Sequence, residues 1–362
     1  MKGIPTLEVE KRLTTPRWLQ FLAPFISLIL ALMAIGVIFQ ALGVDPLFAY
    51  GKIFQGAFGS IYGLSETVVK SIPLMLSGVG LSLAFRARFW NIGAEGQLLV
   101  GATCATGLAL AYPDWPKFVL IPMMFIVGFL GGALWGLIPA LLKARWRVNE
   151  VITSLMMVYI ASNLVNHLVY GPWKGPEEMG FPYTSKFSAS AQLPRLAWTR
   201  IHYPTLVLAL LLAVVIYLLI ARTKWGYEIR VTGENPTAAR YAGMSYLKTV
   251  VLVMILSGGL AGLAGVGEVA GIHLRLRYPG GISPGYGFTA IIVAWLARLN
   301  PLGAVLTSFL LGGLLVGGDA IQISLGLPAA TIFVFNGTIL LFVLGGDLFT
   351  RYRIRVKRRT TN

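Results

Sequence analysis

Long apolar segments dominate this sequence and constrain its fold more than any other feature. A helix needs about 20 mostly apolar residues to cross the hydrocarbon core of a bilayer. The chain has a mean hydropathy of +0.74, and only 12% of its residues are charged. This composition excludes the ordinary soluble classes and predicts an all-α polytopic membrane protein with about ten transmembrane helices. The ten predicted spans are roughly residues 18–43, 66–85, 96–112, 117–142, 150–170, 203–221, 248–272, 286–298, 300–318 and 328–349.

Three parts of this pattern are irregular. The second segment is interrupted by Lys70 and Pro73. The eighth, GYGFTAIIVAWLA, is too short to cross a bilayer without help from its neighbours. Residues 46–64 are rich in glycine and aromatic side chains, and we expect an interfacial or re-entrant segment there.

The distribution of lysine and arginine predicts the orientation of the chain. Ten spans place both termini on one side, and the loops of that side hold 21 of these residues, against 8 in the opposite loops. Cytoplasmic loops carry the excess of positive charge, so both termini, a basic tail at 350–362 and the 222–248 loop are predicted to be cytoplasmic. The 171–202 loop is then on the outer side, as a cover for the outer mouth, a surface for an external partner or a plain connector. A division into five and five would give an inverted repeat, although no sequence repeat is clear enough to establish it.

Motifs that would give this chain its own chemistry are missing from the sequence. Its single Gly-Lys pair, Gly51-Lys52, has Pro46 where a phosphate-binding loop needs glycine. Two GxGxxA matches, at 265–270 and 285–290, do not follow strands, and the three histidines form no HExxH motif. We therefore predict a protein that is not an enzyme and has neither a cofactor nor a metal ion of its own.

The 222–248 loop carries the signals of a short helix. Asn235 is a favoured N-cap, Pro236 fits the first helical position, and Gly243 can end a helix in a left-handed conformation. A capped helix of about two turns at the membrane surface is suited to docking a soluble partner, and the alternative is a solvated connector.

A polar segment at 86–97 separates the second and third spans. Its Gly93 and Gly96 are expected to interrupt helical structure. Irregular backbone is tolerated at membrane depth where it is buried in protein or lines a cavity. In that case three side chains would offer hydrogen bonds to a polar cargo: Asn91, Glu95 and Gln97. The alternative is a tight cytoplasmic turn in which Glu95 pairs with Arg86 or Arg88.

Four further side chains are candidates for the substrate pathway. Glu268 lies late in the seventh span, where a carboxylate is costly, and the alternative to a functional role is an ion pair with Arg275. Asn163 and Asn166 lie in the fifth span, and Phe288 in the eighth could offer an aromatic face to a flat cargo.

Glycines recur at four-residue spacing within three spans. The spacing is followed by Gly128, Gly132 and Gly136 in one, by the pairs Gly258/Gly262 and Gly267/Gly271 in another, and by Gly313/Gly317 in a third. Small residues at this spacing let membrane helices approach closely. They predict tight helix packing and say nothing about cargo.

Several of these segments together resemble one known family. GENPTAARYAGM followed by SGGLAGLAGVGEVAG is similar to the permease subunits of bacterial and archaeal ABC importers of the sugar/nucleoside (ribose-type) branch. FWNIGAEGQLLVGA resembles the nucleoside-importer members, and the GGIDLSVG-like segment usual in ribose permeases is absent. SPGYGFTAIIVAWLARLNPLGAVLTSFLLGG at 283–313 also matches, and the resemblance covers roughly residues 66–346.

The resemblance implies a plasma-membrane importer of nucleosides in which 1–362 form a single permease domain. It implies a second permease subunit, cytoplasmic ATPases that use the ATP, and an extracytoplasmic substrate-binding lipoprotein. Within the 222–248 loop it implies a coupling helix that contacts the ATPase through Glu234, Asn235, Pro236, Ala238, Ala239, Arg240 and Gly243. A monosaccharide or a branched-chain amino acid is the alternative cargo. The alternative mechanism is a secondary transporter with Glu268, Glu95 and Lys70 as an ion relay.

Overall fold

A computed structural model describes residues 5–11, 17–328 and 330–358. The chain divides into two compact units, one formed by Ile53–Ala320 and the other by Met1–Lys52 with Ile321–Asn362. The expectation of a single permease domain stays a prediction. In chain order, the described elements are β1 (Pro5–Lys11), α1 (Arg17–Ala41), α2 (Pro46–Phe58), α3 (Ile61–Arg86), α4 (Ala94–Ala111), α5 (Lys117–Trp146), α6 (Glu150–Tyr170), α7 (Tyr203–Arg222), α8 (Lys224–Glu234), α9 (Pro236–Tyr241), α10 (Tyr246–Gly267), α11 (Pro279–Ile282), α12 (Tyr286–Leu296), α13 (Pro301–Leu325), α14 (Ala330–Arg351) and β2 (Tyr352–Arg358).

The helical membrane architecture predicted from the sequence is confirmed. Each of the ten apolar segments carries a helix. Among the described residues, six helices are long and apolar enough to cross a bilayer, or seven if Phe25–Ala41 and Pro46–Phe58 form one broken span. The chain turns by 114° between these two helices, and the expectation of an interfacial or re-entrant segment at 46–64 stays a prediction. The number of ten spans stays a prediction, because α12 has only 11 residues.

The unit that contains both ends of the chain is built on α1 and α14. Phe39 of α1 packs edge-on against Phe335 of α14, with 5.0 Å between the ring centroids. Strands β1 and β2 pair antiparallel, with Pro5 opposite Arg358 and Lys11 opposite Tyr352. The sequence did not predict these strands, and of the predicted basic tail, residues 359–362 lie outside the described part of the chain.

The larger unit is organised around α10, which packs against α3, α4 and α5. The glycine spacing accounts for this packing, because a β-carbon on Gly262 would lie only 3.1 Å from the Cα atom of Gly132. Lys70, which interrupts the second predicted span, forms an ion pair with Asp319 of α13. Pro73 lies inside α3 without ending it. The ion pair between Lys70 and Asp319 therefore joins α3 to α13 within this unit.

Candidate functional site

The predicted short helix in the cytoplasmic loop is present as α9. The Asn235 side chain accepts hydrogen bonds from the backbone N–H groups of Thr237 and Ala238 at 3.1 and 3.0 Å, and Pro236 is the first helical residue. Gly243 ends the segment with a φ of +75°, in the left-handed region that favours glycine. The sequence missed the preceding helix α8, so the loop holds two helices.

The faces of α9 differ in exposure. Ala239 is 2% exposed and anchors the helix, whereas Tyr241 is 90% exposed. Glu234, Ala238 and Arg240 are also exposed. The chain therefore presents a short, capped helix with a polar and aromatic outer face.

A groove of about 700 Å³ runs beside α9. Its walls come from the end of α5, from α9 and from the residues of α8 and α10 that flank α9, and three of its lining side chains are the cations Lys143, Arg147 and Arg240. Lys143 is paired with Glu150 at 2.6 Å. The groove adds a concave basic surface to the exposed face of α9.

Asn91 and Gln97 lie together in a closed, buried network. The Asn91 amide donates to Gln97 Oε1 at 3.0 Å and to Ser257 Oγ at 3.1 Å, and the Gln97 amide donates to Asn91 Oδ1 at 3.0 Å. Asn91 Oδ1 also accepts from the backbone N–H of Gly93 at 3.0 Å. These bonds join the turn before α4 to α10, and cargo could reach the two amides only if the network opened.

Glu95 does not pair with Arg86 or Arg88, and the alternative of a cytoplasmic turn held by that ion pair is wrong. Its Oε2 atom accepts from the backbone N–H of Gly287 at 2.7 Å, at the first turn of α12, and Ser283 also hydrogen-bonds the carboxyl group. A carboxylate at a helix N-terminus satisfies N–H groups that have no partner within the helix. Glu95 therefore joins α4 to α12.

Gly93 and Gly96 have different roles. Gly93 precedes α4, so irregular backbone at this position is confirmed. The expectation that Gly96 interrupts helical structure is wrong, because Gly96 lies inside α4, where a β-carbon would be 2.9 Å from the Cα atom of Val158. The close crossing of α4 and α6 leaves no room for a larger side chain at Gly96.

Glu268 begins a π-helical turn, Glu268–His273, at the outer end of α10. Its Oε2 atom lies 3.5 Å from His273 Nε2, and its Oε1 atom is buried without a hydrogen-bond partner. The alternative of an ion pair with Arg275 is wrong, because Arg275 pairs with Glu178 of the 171–202 loop. π-Turns are frequent at functional sites, and this one holds a buried carboxylate whose hydrogen-bonding capacity is only partly used.

The outer loop covers this end of α10. Backbone bonds run from Thr184 to Leu276, from Phe187 to Leu274 and from Leu193 to Ala270. His202 at the end of the loop is fully buried, and burial lowers its pKa to about 4, with Arg195 and Arg200 acting in the same direction. The imidazole is therefore neutral at physiological pH.

Asn163 and Asn166 lie on α6 rather than in the network around Asn91. Asn163 is exposed and donates to the Tyr159 carbonyl at 2.9 Å, and Asn166 is half-buried. His167, which was not among the residues predicted from the sequence, is exposed one helical turn after Asn163. The signal was available, because residues four apart share one face of a helix.

Aromatic side chains extend the exposed face of α6. Tyr159 is 59% exposed and Tyr170 is 64% exposed. Phe288 lies on α12 rather than on α6 and is 39% exposed. The structure thus distributes the predicted substrate-pathway residues over four places: a closed network and cap near α4, the π-turn, the exposed face of α6, and α12 with Phe288.

Within residues 5–11, 17–328 and 330–358, no three or more His, Cys, Asp or Glu side chains lie close enough together to hold a metal ion.

Comparisons with known proteins identify the family. The profile of the family described as branched-chain amino acid transport system / permease component matches residues 63–344. The chain is 37% identical to a glucose ABC transporter permease of Haloferax volcanii, covering 97% of this chain and 94% of the relative. It is 36% identical to a guanosine ABC transporter permease of Bacillus subtilis (94% and 98% covered) and 30% identical to a nucleoside ABC transporter permease of Lactococcus lactis (89% and 90% covered). The chain therefore belongs to this permease family and is a multi-pass inner-membrane subunit of an ATP-binding-cassette transporter.

Proposed function

We propose that this chain forms, with a second and different permease subunit, the transmembrane pathway of a nucleoside importer. In this proposal separate cytoplasmic ATPases supply the energy, and an extracytoplasmic binding lipoprotein delivers the cargo. The chain itself holds no cofactor, since ATP binds to the partner.

The exposed face of α6 carries this proposal. Asn163 lies well inside a predicted span, where polar side chains are unfavourable against lipid and usually face a protein partner or a water-filled path, and His167 follows in the last turn of the same helix. Tyr159 and Tyr170 flank them with exposed rings. We propose that this face meets the second permease subunit and lines the path between the two.

The chemistry of this face suits an uncharged cargo. Residues 151–170 contain no Asp, Glu, Lys or Arg, so the face offers amide, imidazole and aromatic groups without a fixed charge. A nucleoside is neutral, with a flat base that stacks on aromatic rings and a ribose that exchanges hydrogen bonds. An amino acid is a zwitterion and calls for charged partners, so this face favours a nucleoside over a branched-chain amino acid.

A monosaccharide is the second candidate cargo. It is also neutral and polar, and the Haloferax volcanii relative is a glucose permease. Two relatives, one for guanosine and one for nucleosides, support the first candidate, as does the FWNIGAEGQ segment. Because the chain belongs to the ABC permease family, we propose transport driven by ATP instead of the alternative of a secondary transporter driven by an ion gradient. The proposed relay residues Glu95 and Lys70 are engaged with Gly287 and Asp319.

The solvent-exposed face of α9 supports the proposed contact with the ATPase. Pro236, Ala238 and Arg240 are exposed on a helix whose start is fixed by Asn235 and whose end is set by Gly243. We propose that ATP-driven closure of the ATPases moves α9, and that α8 and α10 on either side transmit the movement to the bundle. Asn91, Glu95 and Gln97 then serve as positioning residues that keep α4, α10 and α12 together.

Two measurements test the proposal. Purification from native membranes in mild detergent should recover an ABC ATPase and a second permease, and recovery of this chain alone would refute the proposed assembly. In proteoliposomes, Tyr159→Leu should raise the KM for nucleoside uptake at least fivefold, while Tyr203→Leu, a change at an exposed tyrosine on α7, should leave it within twofold. Equal effects of the two substitutions would refute the role of the α6 face.

A further inference from the structure

A groove with an apolar wall and a basic end lies where α7 meets α8. Its volume is about 670 Å³. We name it the Trp225 groove after the side chain at its end; it is lined mainly by Val215, Leu218, Leu219, Arg222, Lys224 and Trp225. Val215 and Leu218 are nearly half exposed along the α7 span, so the apolar wall faces the lipid phase.

The basic end lies on the predicted cytoplasmic side. Arg222 ends α7 and Lys224 begins α8, and no acidic side chain lines the groove. Lys224 lies 3.9 Å from Glu228, which neutralises part of one charge. On the far side of Trp225, a second groove of about 230 Å³ is lined by Lys248 together with Glu228, so the two grooves share three cations and one carboxylate. The basic side chains at this end of the Trp225 groove therefore lie directly beside its apolar wall.

Close packing of α8 on α7 fixes the shape of the groove. Gly226 lies so near α7 that a β-carbon would be 2.6 Å from the Cα atom of Ile220, and Arg230 donates to the Ile220 carbonyl. Trp225 is thereby turned outward and is 53% exposed. Tryptophan favours the membrane–water boundary, where one part of the ring is apolar and another is wet.

We infer that the Trp225 groove binds an anionic phospholipid of the cytoplasmic leaflet. The phosphate headgroup pairs with Arg222 and Lys224, an acyl chain follows the α7 wall, and Trp225 packs beside the glycerol region. The charge complements an anionic headgroup, and basic pockets on the cytoplasmic side of membrane helices suit such lipids. Since α8 leads directly into α9, the bound lipid also supports the segment proposed to contact the ATPase.

Native mass spectrometry of the purified transporter tests this inference with two lipids of matched acyl chains, phosphatidylglycerol and phosphatidylcholine. Wild type should retain phosphatidylglycerol preferentially. The double variant R222Q/K224Q should bind it about 30-fold more weakly, at about fivefold for each lost charge. The control R88Q/R145Q removes two exposed cations from the same side, outside both grooves, and should stay within twofold of wild type.

Trp225→Ala keeps both charges and should weaken binding of phosphatidylglycerol at least threefold. Equal retention of the two lipids by wild type, or equal losses in R222Q/K224Q and R88Q/R145Q, would overturn the inference. Binding of soluble glycerol phosphate as tightly as phosphatidylglycerol would overturn the part assigned to the acyl chain. Transport activity with partner subunits is not needed for any of these readouts, so they remain informative if the proposed cargo is wrong.

Discussion

Replacing Asn235 with alanine removes the N-cap of α9 and leaves the rest of the helix intact. Two backbone N–H groups, those of Thr237 and Ala238, donate to Asn235 Oδ1 at 3.1 and 3.0 Å. Alanine offers no acceptor to either group. Loss of such a cap typically costs about 1 kcal/mol of helix stability. A six-residue helix has little stability of its own, and α9 is held in place mainly by the buried Ala239. Loss of the cap should therefore make α9 open more often.

A loss of about 1 kcal/mol corresponds to a roughly fivefold rise in the open population of α9. Hydrogen–deuterium exchange of a peptide covering 236–243 should therefore quicken about fivefold in Asn235→Ala. Asn235→Asp retains a capping oxygen and should exchange like wild type. If α9 transmits the ATPase movement, cargo should also stimulate ATP hydrolysis less in Asn235→Ala than in Asn235→Asp.

Asn300 provides the matched control. It also caps a helix, accepting from the Leu302 N–H at 3.0 Å before α13. Asn300→Ala should leave exchange at 236–243 unchanged. Unchanged exchange of α9 in Asn235→Ala, or an equal rise in both alanine variants, would refute the reasoning.

Three further outcomes are expected from thermal unfolding of the purified protein. Gly262→Leu should destabilise it by about 1–3 kcal/mol, because the side chain would enter the contact with α5, and an unchanged unfolding temperature would contradict that packing. The pKa of His202 is about 4 in the folded protein, below its ordinary value. As the pH falls, the imidazole is therefore protonated in the unfolded chain before it is protonated in the folded protein. Stability should fall by about 3 kcal/mol from pH 6.5 to 4 relative to His202→Gln, and parallel pH profiles would contradict this. Lys70→Met should destabilise by about 1 kcal/mol and Asp319→Asn in that background should restore part of the loss, whereas additive losses would argue against the ion pair.

Local signals predicted a large part of this structure. Long apolar runs predicted the helical segments, and the glycine spacing predicted close helix packing without saying that α5 and α10 would be the partners. Asn235, Pro236 and Gly243 gave α9, because caps and helix ends depend on residues within one or two turns. The amphipathic helix α8 was missed because its charges and glycines resemble those of a solvated loop.

Contacts between distant parts of the chain could not be predicted in the same way. Glu95 finds its partner at Gly287, 192 residues away, and a sequence pattern offered the nearby arginines as equally good partners. The pairing of β1 with β2 joins the two ends of the chain. Glu268 meets His273 only because the helix widens to a π-turn, which changes the side-chain spacing.

Competition for ATP-driven uptake tests the central claim most directly. Proteoliposomes are prepared with this chain, its second permease and its ATPase, so that the ATPase faces the vesicle interior and the binding lipoprotein is added outside. They should accumulate labelled guanosine only when ATP is enclosed inside the vesicles. Unlabelled nucleosides should suppress this uptake, and equal concentrations of glucose or leucine should not. Suppression by glucose with no effect of nucleosides would assign a monosaccharide cargo and contradict the nucleoside proposal.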